Sequence, residues 1–102
     1  MKFRKKPVTV DAWRVTDLIN RFALNGLEAL PEPVCDAYEN GVIDFPTGFV
    51  GKPPDRIDVI TMEGIMQANH GWWLIRGVAG ELYPCEGAIF SQTYEAIPDE
   101  SA

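Results

Sequence analysis

The sequence predicts an α+β domain: a mainly antiparallel sheet of five or six strands, rich in hairpins toward the C-terminus, packed against one principal helix and a shorter second helix. Three observations carry this. Leu18, Ile19, Phe22 and Ala23 recur at helical spacing between the polar pair Thr16-Asp17 and Gly26. From residue 56 onward, short runs with strand-like alternation are separated by Met62-Glu63-Gly64, Asn69-His70-Gly71 and Gly77-Val78-Ala79-Gly80. With 102 residues the chain suits one domain, 1–102.

The elements follow in order. Val8, Val10 and Ala12 alternate with Thr9, Asp11 and Trp13, the pattern of a half-buried strand. Thr16 or Asp17 offers an N-cap for a helix over about 17–25, and Gly26 supplies its stop. Residues 27–34 form a connection with Pro31 and Pro33. A second helix can run from Pro33 to Asn40 with Gly41 just past its end; a hairpin at Asn40-Gly41 is the competing reading. Residues 42–45 suggest a short strand, and 46–55, with three prolines and two glycines, an irregular loop. Strands over 57–61, 65–68, 72–76 and 81–83 should then form a meander of three hairpins. Pro84, unable to donate to a ladder, is expected to end the last of these. A helical turn at 86–92, a final strand over 94–97 and a frayed tail from Pro98 complete the reading. Phe22 and Phe90 fall at expected core positions.

Composition narrows the function classes. The chain is 46% hydrophobic and 11% aromatic, as globular proteins are. Its net charge is −6, and four of its nine basic residues, Lys2, Arg4, Lys5 and Lys6, lie within the first six positions. The remainder sets five basic residues against fifteen acidic ones, which repels a phosphate backbone and argues against direct nucleic-acid binding. No run approaches the ~20 apolar residues of a membrane span. The basic N-terminus lacks the apolar stretch of a signal peptide, so no membrane partner and a cytoplasmic location are expected. The acidic surface is read as conferring solubility; the alternative, that it imitates a nucleic-acid phosphate array in the basic groove of an enzyme, is less favoured because the acids are dispersed with no long runs.

Part of the chain resembles a known family. Trp73-Leu74-Ile75-Arg76-Gly77-Val78-Ala79-Gly80-Glu81-Leu82-Tyr83-Pro84-Cys85, followed by Ile89-Phe90 and Thr93-Tyr94-Glu95, closely resembles small phage and prophage proteins. Their pattern runs Gly-Asp-Trp-Ile-Ile-Arg-Gly-Val-x-Gly-Glu-x-Tyr-Pro-Cys, then Ile-Phe and Thr-Tyr-Glu. The opening from Met1 to Val8 and the turn Thr61-Met62-Glu63-Gly64 are similar too, so the likeness covers residues 1–12 and about 57–97. A bacterial family named for a Pro-Gly-Asp-Tyr-Gly motif is more distantly similar. The chain departs from the pattern at His70-Gly71-Trp72, where the family has Pro-Gly-Asp before its tryptophan. The resemblance implies a phage origin and an α+β fold; it brings no assigned activity.

No catalytic constellation stands out. Cys85 has no adjacent base, and the single histidine, His70, lies fifteen residues earlier, so a buried structural thiol is the better reading. Cys35, Cys85 and His70 are too scattered for a metal site, and no cofactor motif is present. Gly77 to Gly80 lack the Lys-Ser/Thr of a phosphate cradle. The candidate binding residues are His70, Trp72, Arg76, Glu81 and Tyr83. Arg76 and Glu81 flank one hairpin and could pair across it. Trp72 and Trp73 point to opposite faces of a strand, so one should enter the core. The other is either covered by a helix or exposed, and an exposed tryptophan can anchor a partner. The sequence therefore points to a non-enzymatic phage binding protein that modulates a host protein, such as a defence factor. The alternatives are a small-ligand or nucleotide-binding module that takes a small anionic ligand and could form a homo-oligomer, and an enzyme of undetected type.

Two cysteines in a chain expected in a reducing compartment imply free thiols. Titrating the denatured, unreduced monomer with a thiol reagent is expected to count both.

Overall fold

The computed structural model describes residues 1–3, 8–46 and 52–97. Most of the N-terminal basic cluster, the middle of the 46–55 segment and the tail from Pro98 lie outside them. The fold is α+β. Its order is β1 (Asp11–Arg14), α1 (Val15–Asn25), a single 3-10 turn (Gly26–Ala29), α2 (Glu32–Glu39), β2 (Ile43–Asp44), β3 (Arg56–Thr61), β4 (Gly64–Asn69), β5 (Trp73–Arg76), β6 (Leu82–Cys85) and α3 (Gly87–Thr93).

The six strands among the described residues divide into two antiparallel sheets, ordered β1-β5-β6 and β2-β3-β4. The expected meander is thus broken in its middle, because β4 and β5 are not paired. The cause is the turn between them. Gly71, at φ 82°, swings the chain away from β4. The Trp72 carbonyl then accepts the Val15 amide at 3.0 Å, and the Gly71 amide donates to Thr16 Oγ1 at 3.0 Å. The first turn of α1 captures this segment and delivers β5 beside β1, where Arg14 faces Trp73 and Asp11 faces Arg76.

The helices form where the apolar spacing placed them, with different ends. α1 begins at Val15, and its N-cap is Arg14 with no side-chain hydrogen bond, not Thr16 or Asp17. The Thr16 hydroxyl is engaged by the 69–72 turn and is not free to cap. Gly26, at φ 72°, closes the helix through its amide to the Phe22 carbonyl. α2 ends as a helix with glycine just beyond it: Gly41 donates to Tyr38 and Val42 to Ala37, the paired bonds of a Schellman motif, and no hairpin forms there.

Three further boundaries differ from expectation. Strand β1 starts at Asp11, not at Val8. Pro84 lies within β6, opposite Leu74, because β6 is an edge strand and needs no outward donor there. Residues 94–97 form no strand; from an extended Tyr94 the chain leaves α3 as coil.

The core lies where the two sheets meet α1 and α2. Val15, Leu18, Ile19 and Phe22 from α1 join Val34 and Ala37 from α2, and Ile43, Ile57, Val59, Ala68, Leu74 and Leu82 from both sheets. Phe22 and Phe45 stack with parallel rings at 4.3 Å, and Tyr38 tilts against both. β5 is buried on both sides, with Leu74 and Ile75 fully inaccessible. Leu74 faces the core. The opposite face, carrying Trp73, Ile75 and Tyr83, meets α3, where Phe90 stacks on Trp73 at 4.2 Å. Phe90 therefore belongs to this outer layer and not to the main core.

That division sets distinct costs. Phe22→Ala is expected to destabilise by about 3–5 kcal/mol, since it opens a cavity among fully packed neighbours. Phe90→Ala removes a half-buried stacking partner and should cost about 1–2 kcal/mol. Denaturant melts of the two variants measure the difference.

Candidate functional site

The sequence candidates sit at opposite ends of β5. At its start, the 69–72 turn carries His70 exposed, with Nδ1 3.2 Å from Thr16 Oγ1. Trp72 is half-buried and packs against the main core. Trp73, on the other face, is covered by Phe90 on one side, while the Arg14 guanidinium lies 5.3 Å from its ring centroid. Both tryptophans thus have intramolecular partners. Trp72 borders a depression of about 510 Å3 shared with Arg14, Thr16 and Ser91.

At the other end of β5, Arg76, Glu81 and Tyr83 do come together, as part of the wall of a larger cavity. Arg76 does not pair with Glu81. The register sets Arg76 against Leu82, so alternation sends the Glu81 side chain to the opposite face, where its carboxylate lies against Gly77. Arg76 instead reaches its cross-strand partner on β1, Asp11, at 4.0 Å. Both side chains are exposed, and the pair contributes about 0.2–1 kcal/mol. The Tyr83 hydroxyl lies 3.4 Å from that of Tyr94, which ties β6 to the chain leaving α3.

The larger cavity measures about 900 Å3. Its walls are α2, the β3–β4 hairpin and the β5–β6 hairpin. Met62, fully exposed at the tip of the β3–β4 turn, and the partly exposed Met66 and Ile60 supply apolar surface. Glu32 and Asp36 from α2, Glu63 from the first hairpin and Glu81 from the second supply carboxylates, against the single cation Arg76. The methionines and the α2 acids were not recognisable as site residues from the sequence. The one available signal was Met62, an apolar side chain at a turn position that normally selects polar residues.

Neither thiol is primed for chemistry. Burial, reinforced by the neighbouring Glu39 carboxylate, pushes the Cys35 thiol up. Burial and then Glu86 do the same at Cys85, so both are disfavoured as thiolates. Both are free of disulfides. Among the described residues no group of three or more His, Cys, Asp or Glu side chains gathers as a metal site, and no helix is long and apolar enough to cross a membrane. The site is thus an open groove with an apolar lining and an acidic rim. No family model, curated protein or solved structure matches this chain.

Burial and the bond to Tyr94 push the Tyr83 phenol from its ordinary 10.0 up to about 12. The folded state holds this proton more tightly than the unfolded chain. Its contribution to stability is therefore complete below pH 10 and lost as the pH rises toward about 12. Stability curves across that alkaline window are expected to fall more steeply for the native chain than for Tyr83→Phe.

Proposed function

We propose that this is a non-enzymatic binding protein of phage type that holds a protein partner in the groove between α2 and the two hairpins, and so modulates a host factor such as a defence component. The observation that carries the reading is the groove itself: exposed methionine and isoleucine side chains next to four carboxylates and one arginine. Methionine is flexible and polarisable and adapts to varied apolar shapes. The acidic rim favours a partner surface that is basic around an apolar centre and speeds its approach. The likeness of residues 57–97 to phage and prophage proteins supports the host-directed role.

A small anionic ligand fits this groove less well, because the rim carboxylates outnumber Arg76 and would repel it. Stacking on tryptophan is also disfavoured, since Trp72 packs on the core and Trp73 is already stacked on Phe90.

The test is affinity capture from infected host cells, followed by titration of the captured protein. Met62 and Asp36 are both exposed, so Met62→Ser and Asp36→Lys should leave denaturant melts unchanged. Each is expected to weaken binding of that partner by about 1–2 kcal/mol. A partner held with unaltered affinity by both variants would remove the groove from consideration.

A further inference from the structure

The four sheet edges are not equally protected. β1 carries the charged Asp11 and Arg14, β2 is two residues long, and β6 contains Pro84. Charge, brevity and proline are the devices by which proteins keep an edge from pairing with another chain. β4 has none of them. It runs Gly64–Asn69 without a charged residue or a proline, and every residue in it but Ala68 is exposed. Among the described residues it pairs with β3 on one side only.

The register identifies the free backbone groups. Thr61 and Gly64 close a two-residue turn, so hydrogen-bonded pairs fall at Gly64, Met66 and Ala68 of β4. The amides and carbonyls of Ile65, Gln67 and Asn69 point the other way. The Asn69 carbonyl is used by the Trp72 amide at 3.0 Å. Ile65 and Gln67 are left presenting donors and acceptors outward, and the Ile65 side chain is 68% exposed.

We infer that β4 is a self-association edge that pairs antiparallel with β4 of a second copy about a twofold axis. A second copy can meet this edge without a charge penalty. Chains of net charge −6 repel one another over most of their surfaces, and of the two edge strands without a charged residue, β4 and β6, the second is blocked by Pro84, so β4 is where two copies can form a ladder that sets no like charges together. The spacing of the free groups is self-complementary. With Met66 facing the Met66 of the second copy, Ile65 exchanges both backbone hydrogen bonds with the second copy's Gln67, and Gln67 with the second copy's Ile65. The two three-stranded sheets become one of six strands. A contact built on one short strand is small, so the dimer is weak and depends on concentration. This inference does not rest on the groove or on its partner.

Sedimentation equilibrium of the whole chain tests it. The weight-average mass should rise from 11.4 kDa at micromolar concentration toward twice that at millimolar. Gln67→Pro removes an amide that β3 does not use, and Ile65→Lys places a charge on an exposed edge side chain. Both variants should keep the wild-type melt and shift dimerisation at least tenfold to higher concentration. A mass that stays at one chain, that climbs past two chains, or that rises unchanged in both variants would overturn the proposal.

Discussion

The arrangement depends on the join between the start of α1 and the 69–72 turn. The first amides of a helix have no partner within it. Here the Val15 amide is satisfied by the Trp72 carbonyl, and the neighbouring Thr16 hydroxyl takes the Gly71 amide from 55 positions away. These bonds continue the β1–β5 ladder by one step into the helix. They commit β5 to β1, forbid a β4–β5 hairpin and separate the two sheets. The angle between those sheets is then filled by Leu18, Ile19 and Leu74, and the groove opens on the far side, where the two hairpins diverge.

Local patterns in the sequence were good guides to local structure. The spacing of Leu18, Ile19, Phe22 and Ala23 identified α1, and glycines identified both helix ends, since Gly26 and Gly41 adopt positive φ. The β3–β4 hairpin was legible from Thr61-Met62-Glu63-Gly64. What was not legible was long-range competition. Thr16 looks like a cap in its own neighbourhood, and only the folded chain brings Gly71 to claim it. Phe90 looks like core by its type, yet its layer is set by Trp73, which points away from Leu74. The pairing of Arg76 with Asp11 followed from β1 lying beside β5, which no local signal announced.

The site was legible in part for the same reason. Arg76, Glu81 and Tyr83 do border the groove because they share one hairpin. Its remaining walls come from α2 and from the β3–β4 turn, distant in sequence and brought together by the core at Ala37, Val59 and Leu82 and by the Ile60 amide on the Val42 carbonyl. His70 and Trp72 belong to the structural join at the opposite end of β5.

The outermost layer has its own dynamics. α3 spans seven residues, none of them fully buried, and has no side-chain N-cap. A helix so short has no independent stability. Its attachments are the ring stack of Phe90 on Trp73, the Tyr83–Tyr94 contact and the close seating of Gly87 on the Gly71 carbonyl. Such a segment opens at a free energy well below that of global unfolding. On that principle its amides should exchange with solvent before those of β5, and its opening would bare the apolar side of a strand that is otherwise sealed. The domain thus divides into a densely packed interior and a thinly attached outer helix, within a single small chain.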